Sequence, residues 1–260
     1  MLPTRADTRL SLTSALSDAF STIAYWQYAL AYGVIAFAAI VQYRIGVGFG
    51  LFAAPVIALF APELVPVPII ALTLFTATAA MVNQRNGFDW REIGWSVAGR
   101  FAGSLVAVAI LAQLTDQKQF MLVFGLLIAL AVAMSLAGFR FRFTRRLLFT
   151  MGAISGLTAT ITSVGGPPMA IAYQDQKPER ARPNMSAFFA LGCVIVLAVR
   201  QVNGFNTTAD LVHSIVLLPA LFIGIKLAPA FEGVIDRNFR TMLLVVCGLS
   251  ALLLIWRALA

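Results

Sequence analysis

Two cations and two clusters of glycine and proline are the residues of this chain whose types and spacing could do chemistry. Arg44 lies in "VQYRIGVGFG", Val41 to Gly50, where Gly46, Gly48 and Gly50 alternate at the end of a long apolar run. A second interruption is "SVGGPP", Ser163 to Pro168, and Arg100 is an isolated cation inside "GRFAG". Glycine lets a backbone leave its helix and lets another group approach closely. Proline cannot donate a backbone hydrogen bond but suits the first turn of a helix, so "SVGGPP" predicts one helix ending near Ser163 and a new one starting at Pro167. Free amides and the positive end of a helix dipole then face each break, which is chemistry for holding an anion.

A cation in apolar surroundings needs a partner, water or a ligand to offset its desolvation. All eleven Asp and Glu residues fall in loops or close to segment ends. Arg44 is therefore left with an anionic ligand, or with a wet vestibule into which it snorkels. Arg100 either lines a pore or lays its stem along its helix toward the interface, while Gly99 and Gly103 beside it let another helix pack closely. The candidate anion-binding set is Gln42, Arg44, Gly46, Gly48, Phe49, Gly50, Ser163, Gly165, Gly166, Pro167 and Pro168, with Asn83, Arg100 and Tyr173 as candidate pore-lining residues.

Other chemistries fit less well. Hydrolysis inside a membrane wants a base beside a nucleophile, or a metal cluster. The chain has one histidine, His213, dispersed acids and no HExxH pattern, so an intramembrane hydrolase or phosphatase is the weaker alternative; neither a metal nor a cofactor is expected. A scaffold subunit without transport activity would not need two matched breaks. Cys193 and Cys247 both sit in apolar segments and read as small packing residues. Proton relays commonly use intramembrane acids or histidines, so any coupling rides on protonation of the substrate.

The elements that must position these residues are membrane helices. Of 260 residues 60% are hydrophobic and 12% charged, with a mean hydropathy of +0.87, more apolar surface than a soluble domain of this length can hide. The runs are continuous rather than alternating, which excludes an outer-membrane barrel and leaves an all-α polytopic protein of about eight segments. The net charge of +8 is spread over short loops rather than gathered on one face, which points to membrane orientation and not to nucleic acid. Gly50 to Phe60 and Pro167 to Tyr173 are too short to span alone, and each follows a longer helix across a break, so each pair reads as a hairpin within the bilayer.

The two hairpins are related by a shift of 117 residues. It carries "VGFG" at Val47 onto "VGGP" at Val164, and "NGF" at Asn86 onto "NGF" at Asn203. The chain thus divides into an interfacial segment (1–25), a first transmembrane repeat (26–138), a basic linker (139–146) and a second repeat (147–260). With the linker in the cytoplasm, the inner loops hold Arg85, Arg91, Arg140, Arg142, Arg145, Arg146, Lys177, Arg180, Arg182, Lys226, Arg237 and Arg240, against Arg5, Arg9, Lys118, Arg200 and Arg257 outside. Twelve against five favours this orientation, with both termini outside. An odd number of crossings per copy inverts the second repeat, and inverted repeats with broken helices are a secondary-transporter architecture whose site lies at the breaks.

At these residues the chain resembles the TauE/SafE sulfite exporter family. The resemblance rests on "GFGLFAAPVIALF" with Gln42 upstream, on "NGFDWRE", and on "GGPPMAIAY" followed by a basic loop and "NMSAFFALGCVI". It implies an inner-membrane transporter of two inverted halves that exports sulfite, sulfoacetate or a related organosulfonate. It also points to Gly48, Gly50, Pro55, Gly165, Gly166, Pro167 and Pro168 as motif positions. The expected partners are a small anionic substrate and the lipid bilayer, and a homodimer is allowed.

Overall fold

Helix starts follow local capping chemistry, and several begin earlier than hydropathy predicts. The structure, a computed structural model, describes residues 23–45, 48–84, 87–138, 140–231 and 237–260, without the side chains of Arg44, Ile45 and 237–243. Most of the expected interfacial segment and Gly46 lie outside the described residues. Ten α-helices and no strand occur among the described residues: α1 (Tyr25–Ile45), α2 (Phe49–Ala58), α3 (Val67–Asn83), α4 (Trp90–Leu111), α5 (Gln117–Leu136), α6 (Arg145–Thr162), α7 (Gly166–Tyr173), α8 (Pro178–Val202), α9 (Thr208–Leu227) and α10 (Arg237–Leu259). Five helical segments among the described residues are long and apolar enough to cross a membrane, those containing α3, α4, α5, α8 and α9.

Thr144 accepts from the Leu147 amide and starts α6 at Arg145, inside the expected linker. Pro178 in the first turn starts α8 within the basic stretch read from sequence as a loop, so the helix is 25 residues long. Thr207 and Asp210 form a capping box that begins α9. The repeated "NGF" has a conformational reason, since Gly87 (φ 94°) and Gly204 (φ 75°) both adopt the left-handed backbone that glycine tolerates best.

The expected hairpins are present. α1 and α2 are joined across Gly48 (φ 128°), and α6 and α7 across Ser163 (φ 63°) and Gly165. The shift of 117 carries Phe49, the first residue of α2, onto Gly166, the first residue of α7, and Ile45, the last of α1, onto Thr162, the last of α6. It also exchanges packing partners. α4 lies along α6 as α9 lies along α1, α2 meets α10 as α7 meets α5, and α4 meets α8 as α9 meets α3. The two sequence halves are therefore interleaved.

The α4–α6 pair is the closest helix contact in the fold. Gly99 and Gly103 of α4 face the carbonyls of Phe149 and Ala153, while Gly152 and Gly156 of α6 face those of Ser96 and Arg100, leaving no room for a Cβ at any of the four. Small residues allow this approach in the absence of a hydrophobic drive between helices in lipid. Gly103→Leu should separate the pair and lower the thermal midpoint of the purified protein in detergent, with a cost of at least about 3 kcal/mol. An unchanged midpoint would show that the interface tolerates separation.

Candidate functional site

Both breaks open onto one cavity of about 40 Å³. Gln42, Gly48, Phe49, Gly50 and Leu51 line it from the first hairpin, and Ser163, Gly165 and Gly166 from the second. Ile70 and Thr73 of α3, Arg100 of α4, and Phe189 and Cys193 of α8 complete it. The tips touch at their backbones, where a Cβ on Gly50 would lie 2.5 Å from the Ser163 carbonyl oxygen. About 10–15 Å³ of such space suffices for one water, so the cavity has room for a compact ion.

Arg100 is the cation that lines this cavity among the described residues. It is 2% exposed, and its Nη1 donates to Ser155 Oγ at 3.1 Å. Ser155 Oγ in turn donates to the Gly165 carbonyl at 2.6 Å, which ties the guanidinium to the second break. The Nε hydrogen has no acceptor among the described residues. The rings of Phe188 and Phe189 lie 5.0 and 5.7 Å from Cζ, and cation–π contacts of this kind offset only part of the desolvation of a buried charge. Gly192 makes the space, because a Cβ there would lie 2.5 Å from Nε.

The helix ends contribute unequally. Gln42 Oε1 accepts from the Phe49 amide at 3.0 Å and so occupies one free donor of α2. Pro167 and Pro168 remove two donors from the first turn of α7, which leaves the amides of Gly165 and Gly166 at the cavity. Pro55 has a packing consequence instead. Its missing amide frees the Leu51 carbonyl, which accepts from Cys247 Sγ at 3.1 Å.

The sequence candidates therefore separate into groups. Gln42, Gly48, Phe49, Gly50, Arg100, Ser163, Gly165 and Gly166 meet at the cavity, with Pro167 and Pro168 buried directly behind them in α7. Arg44 is the penultimate residue of α1, and its side chain lies outside the described residues. Asn83 lines a second cavity of about 410 Å³ between α1, α3 and α8, which shares Gln42 and Phe189 with the first and carries exposed Arg182 at its wall. Tyr173 is elsewhere. It is buried at the end of α7, donating to Glu92, which also accepts from Asn184 and pairs with Arg180. Ser155, Phe189, Cys193 and Gly192 were not singled out by sequence as site residues. A glycine in the apolar run "ALGCVI" was the one visible signal among them.

A guanidinium buried between two broken helices, in a chain with five described helical segments of membrane-spanning length and hydropathy, belongs to a multi-pass membrane protein. The chain belongs to the sulfite exporter TauE/SafE family, whose model matches residues 31–254. This is a family of membrane transporters, not of enzymes. No curated protein and no solved structure matches the chain.

Proposed function

We propose that the protein exports a small sulfur-containing anion, sulfite or a small organosulfonate, across the inner membrane by alternating access. The observation that carries this reading is Arg100, a buried guanidinium with one protein hydrogen bond and an Nε left without an acceptor among the described residues. Such a group is costly unless an anion completes it, and bidentate recognition of an oxyanion suits its planar fork. The amides of Gly165 and Gly166 supply further donors without adding fixed charge. Cytoplasmic placement of the basic linker puts the 410 Å³ vestibule on the cytoplasmic side, with Arg182 drawing anions toward it. The two halves are then inverted copies. Because α4 and α6 are too closely packed to part, the moving bodies cross the sequence halves, with α1, α2, α3 and α9 in one and α4, α6, α7 and α8 in the other.

Phe189 stands between the small cavity and the vestibule, so it limits the length of anion that can reach Arg100. Phe189→Ala should join the two spaces and raise the ratio of sulfoacetate to sulfite flux about tenfold, the scale on which pocket contacts discriminate. The reading as a whole is tested by proteoliposomes loaded with radiolabelled sulfite, sulfoacetate or taurine, with and without a pH gradient. Saturable flux of sulfite or an organosulfonate supports it, and absence of flux for all of them counts against it.

A further inference from the structure

The same cavity has a second boundary, on the side away from the vestibule. α3 and α8 run antiparallel and cross beside the cavity. At the inner end of the crossing Thr76 and Ala79 of α3 face Ser186 and Phe189 of α8 across open vestibule. Toward the outer end Ile70, Cys193 and Val196 form a separate buried cluster, flanked by Leu74 and Leu197. Ile70 and Cys193 also line the anion cavity, so this cluster is its outer roof.

The 117-residue correspondence makes the two ends comparable. It carries Thr76 onto Cys193, Ala79 onto Val196, and Ala187 onto Ile70 when taken in reverse. Where the two seams correspond, the vestibule has Thr76 and Ala79 and the outer cluster has Cys193 and Val196, and the buried Ala187 of α8 stands where the outer cluster has Ile70. At these three corresponding positions the outer side carries the larger apolar side chains, and buried apolar area sets the balance between two packed arrangements. Arg200, which corresponds to Asn83 of the inner vestibule, lies one turn beyond Val196 and is buried with its guanidinium on the carbonyls of Thr160 and Phe205.

We infer that Ile70, Cys193 and Val196 are the outer gate of the transport path, and that their bulk relative to Ala187, Thr76 and Ala79 makes the cytoplasm-open form the resting state. The anion leaves by parting α3 from α8 at this seam, past Arg200. This inference rests on the transport reading above, but its test uses no substrate, so failure of either is separately visible.

The reporter is Cys193 itself, in a Cys247→Ser background that keeps a donor for Leu51. Its modification by membrane-impermeant sulfonatoethyl methanethiosulfonate is followed from the outer face. A second reporter, the thiol of Thr76→Cys in a Cys193→Ser, Cys247→Ser background, is followed from the cytoplasmic face. Ile70→Ala, which shrinks the outer seam, and Ala79→Val, which enlarges the inner one, should each raise outer modification of Cys193 about tenfold and lower inner modification of the Thr76→Cys thiol. Opposite movements at the two faces, from one variant that removes apolar bulk and one that adds it, cannot come from a loosened fold. Faster modification at both faces, or no change at either, overturns the gate.

Discussion

Arg100→Met is expected to reduce anion flux to background while raising the thermal midpoint of the purified protein. The two effects share a cause. Among the described residues the 2% exposed guanidinium has one protein hydrogen bond and an Nε without an acceptor, so in the empty protein its desolvation is poorly offset. An apolar side chain of similar length removes that cost, and exchanges of buried charge for well-packed apolar groups are commonly stabilising by about 1–4 kcal/mol. The anion loses its counter-charge, and the loss of a buried charge partner costs about 3–5 kcal/mol, a hundredfold or more in affinity. Flux in proteoliposomes and a melting curve in detergent check both halves. A destabilised variant would mean that Arg100 is held by groups of the protein rather than by a ligand.

Gly50→Val should abolish flux for a different reason. A Cβ at this position would lie 2.5 Å from the Ser163 carbonyl oxygen, far inside contact distance, and both atoms belong to backbone that no rotamer change can move. The hairpin tips must separate, which carries the amides of Gly165 and Gly166 away from Phe49 and opens the cavity on one side. Site geometry about 1 Å out of place costs on the order of a hundredfold in rate where positioning matters, and overpacking costs about 1–3 kcal/mol in stability. Gly50→Ala should give a milder form of the same defect. Wild-type flux in Gly50→Val would show that the meeting of the tips is not part of the site.

Much of this was legible because backbone chemistry is local. Glycine spacing at Gly48 and Gly50, and the run from Ser163 to Pro168, marked both breaks, and the shift that superposes them also superposes the helix ends at the breaks, Ile45 on Thr162 and Phe49 on Gly166. Helix starts at Arg145 and Pro178 were missed because hydropathy does not register a polar first turn, whereas a threonine cap or a proline does. The site's side chains were harder to read. Arg100 could be assigned to a pore or to the interface with equal reason, since sequence does not say which face of α4 meets α6. The glycines that bring α6 onto this face of α4, Gly152 and Gly156, lie about fifty residues further on, and Gly192, which makes room for the guanidinium, lies further still. Tyr173 looked like a pore residue because it ends the short helix α7, and the structure instead places it on Glu92.

On the proposed reading, coupling between occupancy and the second hairpin needs no carboxylate at the site. Ser155 is the hydrogen-bonding link between the cation and the second hairpin, joining Arg100 to the Gly165 carbonyl. On that reading, an anion bound at Nε would pull on the same group that is tied to the break and so couple occupancy to the position of α7. Phe188 and Phe189 on α8 share the guanidinium through their ring faces, so the helix that carries the proposed outer seam also touches Arg100.

The most direct test of the central claim, that Arg100 between the hairpins holds the anion, is the thermal shift produced by sulfite or sulfoacetate on wild-type protein and on Arg100→Met, with chloride as the control. A ligand that binds the native state at about a hundred times its dissociation constant stabilises it by about 2.7 kcal/mol. The wild type should therefore melt several degrees higher with the sulfur anion than with chloride, and Arg100→Met should show no difference between them. Equal shifts in the two proteins would place the anion somewhere other than Arg100 and contradict the account.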